Sequence, residues 1–395
     1  MNRGACSSDL QVFRVRAGAE SLTVFAKLYL GRRFSLPWNA MHTELASDLQ
    51  SLDRTPLRLA VAAPDGYGKS SLLSFALILW VLAYRKKRCI VLGSGSRTAA
   101  GEYLCGIDTE LRRNELLKRD FPHLRDISRA SGASGSRASP PRLIAVPGIA
   151  KVHTIGPSSS LTEVSFEGSP PDLIVLDEFD PGVDDSKVTS QTNQRVDRLE
   201  RTLRRKILDR FTDASIIITG PLLDAEGLMD RLLSSEHAGA WMQRFYPAVT
   251  RYPEQFERWF EWATIWAKDR TAGDVLFKEH RAVLTGGASV LWPQHESFER
   301  LMQLRAEHGW EWFDRYRQGF PPGGTLHAGT NACRRFLCDS RSGFVTVVDD
   351  AGYQRLLPDD SNTQPDVTLR LVFEDDAALG KPVPGSDGAP EGRQF

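Results

Sequence analysis

With 395 residues, the chain is too long for one small domain, so we expect one large domain or two. Hydrophobic residues make up 41% and charged residues 25%, which is typical of a soluble globular protein. The 50 basic and 50 acidic side chains cancel, so a nucleic-acid partner would need a local basic patch.

Residues 1–55 combine apolar runs with turn residues and predict a helical segment, and their start lacks the basic region, apolar core and cleavage site of a signal peptide. The longest apolar run, "LLSFALILWVLAY", is shorter than the roughly 20 residues that span a bilayer and predicts a buried helix. The five cysteines lack metal-ligand spacing, which predicts reduced thiols and no cysteine metal site.

Between residues 56 and 250, apolar β-rich runs alternate with helical runs. Strands that are apolar throughout are typical of a buried parallel sheet with helices on its faces, so we predict an α/β fold. The predicted elements are a strand in "LRLAVAA", a helix over 70–84, a strand in "RCIVLGSG", a helix over 98–118, a loop over 131–141, a hairpin from "RLIAV" and "AKVHTIG", a strand in "PDLIVLDEFD", a charged helix over 193–211 and a strand in "ASIIITG".

The remaining sequence is less regular. Residues 252–319 predict helices and loops rich in Trp and Phe. After residue 321 the pattern weakens, and the final stretch, "KPVPGSDGAPEGRQF", has the composition of a disordered tail.

The stretch "APDGYGKSS" ends as a phosphate-binding loop does, but Ala63 replaces the first glycine of the pattern G-x-x-x-x-G-K-[ST]. In such a loop, backbone N–H groups and a helix N-terminus surround the phosphates. Lys69 would neutralise the β- and γ-phosphates, and Ser70 would hold Mg²⁺. The alternative is a Gly-Lys-Ser turn that arose by chance. The predicted nucleotide-binding residues are Gly66, Gly68, Lys69, Ser70 and Ser71.

An acidic pair follows the strand "DLIVL". Asp177 would bind Mg²⁺ through water, and Glu178 would orient and deprotonate the attacking water, so Glu178 and Lys69 are the predicted catalytic residues. The alternative is a strand that ends in solvated acids. Thr219 and Gly220 end the next apolar strand. In additional-strand P-loop ATPases a polar residue at this place senses the γ-phosphate, although Thr219 is as well explained as an ordinary strand end.

Taken together, these pieces resemble the large terminase subunit of tailed bacteriophages, the ATPase that packages DNA into procapsids. The similarity covers roughly residues 22–325. The segments that carry it are, in order, "FAKLYLGRRFSLPWNAMHTEL", "APDGYGKSS", "IVLGSGSRTAAGEYL", "PDLIVLDEFD", "IIITGPLLDAEGLMDRLL" and "LWPQHESFERLMQLRAEHGWEWFDRYRQGFPPGG". Each motif is modest by itself, and their order along the chain is the specific feature.

The resemblance implies a RecA-like, additional-strand P-loop NTPase with a mostly parallel sheet, flanking helices, and ATP and Mg²⁺ as cofactors. It implies a motor that moves double-stranded viral DNA, with the portal protein and the small terminase subunit as partners. Copies of the chain would form a ring on the portal in the cytoplasm of a bacterial host, away from any membrane. The implied divisions are a helical segment (1–55), the ATPase core (56–250), a closing helical segment (251–325), and a remnant hairpin with a tail (326–395).

Three departures from the family pattern matter. Asp65 stands where the family commonly has an arginine, so it cannot supply positive charge to the transition state. Glu167 and Gly168 stand where the family often has Arg-Gly. The missing cation could come from Arg97 or from a helix that otherwise reads as a solvated face or a DNA contact. That helix carries Arg195, Arg198, Arg201, Arg204 and Arg205.

The third departure is the carboxyl-terminal region. The family continues into a nuclease domain, but too few residues follow Gly324, so we expect this domain to be truncated or missing and nuclease activity to be absent. Asp339 would be a metal ligand if its hairpin begins that domain, and a solvated acid otherwise. Two rivals stay open: a degenerate, non-hydrolysing prophage remnant, and another P-loop DNA-dependent ATPase.

Overall fold

The computed structural model describes residues 3–52, 54–131, 141–157, 159, 164–179, 211–224, 227–233 and 241–320. The chain divides into two compact units. The first comprises residues 1–221 and 226–244, and the second comprises residues 222–225 and 245–395. Three predictions fall outside the described residues. They are the charged helix over 193–211, apart from Phe211, the remnant hairpin with Asp339 in the 326–395 region, and the tail.

A mixed, mostly parallel sheet forms the centre of the first unit, which confirms the predicted α/β fold. Its order is β3-β4-β5-β2-β6-β7-β1-β8, and β5, β2, β6, β7 and β1 run parallel. The strands are β1 Arg58–Ala62, β2 Cys89–Ser94, β3 Ser128–Ser131, β4 Pro141–Val146, β5 Ala150–Ile155, β6 Leu173–Asp177, β7 Ser215–Gly220 and β8 Met242–Phe245.

The three strands β2, β6 and β7 are buried along their whole length. Burying one large aliphatic side chain stabilises a fold by about 1.5–3 kcal/mol, so the continuous apolar runs account for the central position of these strands. The predicted hairpin is confirmed, because β4 and β5 pair antiparallel. The predicted 131–141 loop is too long at both ends, since Ser131 and Pro141 pair with each other in β3 and β4.

Helices cover the first unit and confirm the helical amino-terminal segment. The α-helices are α1 Arg3–Glu20, α2 Leu22–Tyr29, α3 Ala40–Asp48, α4 Leu77–Ala83, α5 Arg97–Arg113, α6 Glu115–Asp120 and α7 Leu228–Leu233. The predicted 70–84 helix begins with a π-helical turn, Ser71–Ala76, that leads into the buried α4. No helix of the described residues is long and apolar enough to cross a membrane.

The helix predicted over 98–118 was wrong in one respect, because the structure divides it at Asn114. The backbone of Asn114 is extended, and its Oδ1 accepts a hydrogen bond from Leu117 N at 2.9 Å, which caps α6. Its Nδ2 donates to the carbonyl oxygen of Tyr29 at 2.7 Å. Asn114 thus caps α6 and also links the junction between α5 and α6 to the end of α2.

The second unit is mainly helical, as predicted, with one short antiparallel strand pair. Its elements are β9 Val249–Arg251, α8 Arg258–Lys268, α9 Arg270–Thr285, β10 Ser289–Val290, α10 Phe298–His308, α11 Trp310–Phe313 and a π-helical turn Asp314–Gln318. Aromatic side chains of α8 fill its core, and Trp259 and Trp262 lie with ring centroids 4.9 Å apart. Arg315 Nε donates to the carbonyl oxygen of Leu223 at 2.8 Å, which holds the short 222–224 segment within this unit.

Candidate active site

Three predicted features meet at one edge of the sheet. Because β6, β7 and β1 run parallel with β7 in the middle, their carboxyl ends coincide, and Thr219 is in register with both Asp177 and Val61. Glu178 N donates to the carbonyl oxygen of Thr219 at 2.8 Å, and Ala63 N donates to that of Gly220 at 3.4 Å. In open α/β sheets this edge is where ligands bind.

The loop from Ala63 to Ser70, which we call the 63–70 loop, connects β1 to the π-helical turn. Gly66 and Gly68 both have φ of 83°, in the left-handed region that favours glycine. Ala63, by contrast, does not have a positive φ; among the described non-glycine residues only Arg85, Glu167 and Glu178 do. A Cβ at position 63 therefore adds no strain to this loop conformation, which accounts physically for alanine in place of the first glycine.

Lys69 folds back onto its own loop. Its side chain is only 3% exposed, and Nζ donates to the carbonyl oxygens of Ala63 at 2.6 Å and Pro64 at 2.8 Å. Asp65 Oδ1 lies 3.5 Å from Nζ. Burial lowers the pKa of Lys69, and the carboxylates of Asp65, Asp177 and Glu178 act in the opposite direction. The ammonium group thus lies among acids and is shared with loop carbonyls.

Asp177 is fully buried at the end of β6. Its Oδ2 accepts a hydrogen bond from Ser74 Oγ at 2.7 Å, while its Oδ1 has no hydrogen-bond partner among the described protein atoms. Burial raises the pKa of this carboxyl, against the opposing effects of Ser74, Ser70, Lys69 and Tyr103. The charged form is thus incompletely compensated by the protein alone.

Thr219 presents a second unsatisfied atom, because its buried Oγ1 also lacks a partner among the described groups. Leaving a buried polar atom unpaired costs about 1–3 kcal/mol, and such atoms call for an explanation such as a bound water, ion or ligand. Two of them at adjacent strand ends make this edge a candidate binding site.

The residues present fit a magnesium ion. Mg²⁺ is held in proteins by one or two carboxylates together with substrate phosphates and water, and Asp177 Oδ1 and the Ser70 hydroxyl are ligands of that kind. Within the described residues, no group of three or more His, Cys, Asp or Glu side chains forms a metal site. An ion here would therefore take most of its ligands from substrate and water.

Glu178 follows Asp177 with φ of 47°, a left-handed conformation that a glutamate rarely adopts. Its side chain remains exposed at the edge of the sheet. Partial burial and the carboxylates of Asp177 and Asp65 raise its pKa, and Lys69 lowers it. Backbone strain at an exposed acid with a raised pKa is typical of functional positions.

Two site residues were missed by sequence reasoning. Ser74 bonds Asp177 from the helix that follows the loop, and its signal is a lone polar residue within an otherwise apolar run. Tyr103 on α5 is the other. Burial and the charge of Asp177 raise the pKa of Tyr103 to about 12, and its hydroxyl interacts with Ser70 and Asp177. Nothing in the spacing of the sequence distinguishes Tyr103 from other helix residues.

Of the remaining predicted residues, some are described by the structure and others are not. Ser71 begins the π-helical turn, and Gly220 follows Thr219 at the end of β7. Arg97, a candidate source of the missing cation, begins α5, and its Nη2 donates to Ser159 Oγ at 2.6 Å. The arginines of the 193–211 segment and Asp339 lie outside the described residues.

No family model matches the chain, and no curated protein matches it significantly. The resemblance to the large terminase subunit therefore rests on the sequence segments quoted above, and the candidate active site rests on its geometry.

Proposed function

We propose that the 63–70 loop binds Mg·ATP and that the chain hydrolyses it as a motor subunit moving double-stranded DNA. The observation that carries the ATPase proposal is the carboxyl edge of the sheet. There the buried Lys69 and the hydroxyl of Ser70, at the start of the π-helical turn, lie close to Asp177. The Oδ1 atom of Asp177 lacks a hydrogen-bond partner among the described protein atoms. The place of β7 between β1 and β6 also supports the additional-strand, RecA-like form of the P-loop fold.

The chemistry assigned to the site follows from its groups. Lys69 would exchange the carbonyls of Ala63 and Pro64 for phosphate oxygens, which compensate its charge better in a buried place. Ser70 and Asp177 would hold Mg²⁺, which supplies charge neutralisation to the phosphates. Glu178, with its raised pKa, would accept the proton of the attacking water.

The DNA-motor part of the proposal is supported by the order of the motifs that resemble the terminase family. On this proposal the partners are double-stranded DNA, the portal protein, the small terminase subunit and further copies of the chain in a ring. The test is whether linear double-stranded DNA stimulates ATP turnover. Equal turnover with and without DNA, at a concentration where DNA binding is saturated, would contradict the DNA-motor part of the proposal and leave only the ATPase part.

The hydrolysis step is tested by Glu178→Gln, which keeps the shape of the side chain and removes the base. Turnover should fall by about 10²-fold or more while Mg·ATP affinity stays within a few-fold of wild type. Lys69→Ala is the matched binding variant. It should lower affinity by roughly tenfold to a hundredfold, as expected for one charge-assisted contact. Unchanged affinity in Lys69→Ala, measured by calorimetry, would contradict nucleotide binding at this loop.

A specific observation favours the second candidate, a protein that binds nucleotide without hydrolysing it. Asp65 lies 3.5 Å from Lys69 Nζ and raises the pKa of Glu178, so an acid stands beside the groups that should meet phosphate. Binding of Mg·ATP without turnover, in wild type as in Glu178→Gln, would decide for this second function.

A further inference from the structure

One histidine from outside the sequence motifs contacts the 63–70 loop. His42 lies on α3, and its side chain is buried, with 2% of the residue exposed. A Cβ added to Gly68 would lie 2.6 Å from His42 Nε2, a distance that real Cβ atoms do not show. The imidazole therefore packs directly against the backbone of the loop at Gly68.

Both nitrogens of this ring have defined roles. Asn39 N donates to His42 Nδ1 at 3.3 Å, and His42 N donates to Asn39 Oδ1 at 2.9 Å, so the two residues form a capping box at the start of α3. Because Nδ1 accepts, the neutral ring carries its proton on Nε2. The ring also hydrogen-bonds the backbone of Tyr67, where the carbonyl oxygen is the group that can accept from Nε2.

The ring is neutral at physiological pH, because burial lowers the pKa of His42 to about 4. His42 therefore cannot attract phosphate by charge. Its effect on the loop has to come from the geometry of its hydrogen bond and its packing.

That geometry bears on one peptide group. A trans peptide is planar, and its C=O and N–H point in opposite directions. A bond from His42 to the carbonyl of Tyr67 consequently turns the N–H of Gly68 away from α3. The N–H groups of such a loop are what a phosphate binds.

We propose that His42 is a positioning residue for the 63–70 loop. It holds the Tyr67–Gly68 peptide so that Gly68 N–H is available to a nucleotide phosphate, and it does so without touching the nucleotide. The inference rests on the proposed function in one respect, namely that this loop binds Mg·ATP. The capping box places the ring, so the amino-terminal helical segment contributes to nucleotide affinity.

Two substitutions differ in the bond to the loop. In His42→Gln the side-chain amide nitrogen reaches the place of Nε2 and keeps the contact to the loop. In His42→Asn the amide oxygen reaches the place of Nδ1 and keeps the capping bond to Asn39. We expect His42→Gln to bind Mg·ATP within about threefold of wild type, and His42→Asn to bind about two- to tenfold more weakly than His42→Gln, the effect of one hydrogen bond.

Glutamine is a usual residue at this capping-box position, so both variants can keep the bond from Asn39 N and should melt at similar temperatures. A purely structural histidine would instead weaken binding in proportion to the loss of melting temperature in both variants. That result, or equal affinity in wild type and His42→Asn, would overturn the inference.

Hydrogen exchange without nucleotide separates failure of this inference from failure of the proposed function. The amides of residues 66–70 should exchange faster in His42→Asn than in His42→Gln. If wild type fails to bind Mg·ATP and this difference is seen, the proposed function is wrong and the positioning role stands. If the amides exchange equally in both variants, the positioning role is wrong.

Discussion

The core tryptophans of the second unit and the carboxyl edge of the first unit differ in how their buried polar atoms are paired. In the second unit, Trp259 Nε1 donates to the Leu284 carbonyl at 2.6 Å, and Trp262 Nε1 donates to the Gly273 carbonyl at 2.9 Å. At the carboxyl edge, Asp177 Oδ1 and Thr219 Oγ1 are buried without partners among the described residues.

This difference separates polar groups that serve the fold from groups available to a ligand. The hydrogen bond of a core tryptophan stabilises the fold whether or not a ligand is present. An unpaired carboxylate oxygen costs stability until something binds it. Glu178 adds backbone strain to the same edge. The comparison predicts that substitutions at the edge change function at little cost in stability, and that substitutions in the aromatic core do the reverse.

Asp177→Asn should have the largest effect on function. It keeps an oxygen for the bond from Ser74 and removes the charge that would hold Mg²⁺. We expect turnover to fall by about 10²-fold or more, the scale of a lost essential group. The melting temperature at pH 7 should stay the same or rise, because burial disfavours the charged form of this carboxyl. Full activity in the variant would remove Asp177 from the mechanism, and a large loss of stability would contradict the comparison.

Asp65→Arg should change activity in the opposite direction. The substitution removes the acid that pairs with Lys69 and places a cation where charge develops in the transition state. Turnover should rise by about tenfold. Asp65→Asn is the control, since it removes the negative charge without adding a positive one, and it should give a smaller rise. If neither variant changes turnover, an arginine from elsewhere supplies the charge, and an alanine scan of Arg97 and the 195–205 arginines should locate it.

Trp262→Phe tests the other side of the comparison. The substitution keeps an aromatic ring in the core and removes the hydrogen bond to Gly273. We expect a loss of about 1–2 kcal/mol in the free energy of unfolding from the hydrogen bond and the smaller ring. Turnover per folded molecule should match wild type, as measured after correction for the folded fraction. A hundredfold loss of turnover in a fully folded variant would show that this core takes part in the chemistry.

Asp314→Asn should have the smallest effect on turnover, and its effect on stability should depend on pH. Asp314 is partly exposed as a residue, yet burial of its carboxyl raises the pKa to about 7, against the opposing charge of Arg305. The folded state therefore binds a proton more tightly than the unfolded state, whose carboxyl has a pKa of about 3.9. The stability contributed by the protonated form is present below pH 4 and is lost as the pH rises through 7.

Urea unfolding followed by tryptophan fluorescence measures this dependence. Asp314→Asn should be more stable than wild type at pH 8 and similar to it near pH 4, where the wild-type carboxyl is protonated. Equal stability at pH 8 would mean that the carboxyl is well solvated in the folded protein.

The sequence by itself determined the parts of this protein that follow from local patterns. Apolar runs predicted the buried strands. The Gly-Lys-Ser turn after β1 and the two acids at the end of β6 were identified as candidate site residues. Both follow from the chain itself, because the period of hydrophobic residues and the chemistry of a turn are set by neighbours along the sequence. The division at Asn114 was missed because an asparagine that caps a helix differs little, in sequence, from one that lies within it.

Only the tertiary structure decided which groups meet. The place of β7 between β1 and β6 brings Thr219 beside Asp177, and the bond from Ser74 to Asp177 joins residues that are far apart in the chain. The contact of His42 with Gly68 likewise depends on how α3 packs against the loop. Such contacts follow from the packing of whole elements, and no local period of the sequence encodes them. The unpaired Oδ1 of Asp177 is visible only after all of its neighbours are in place.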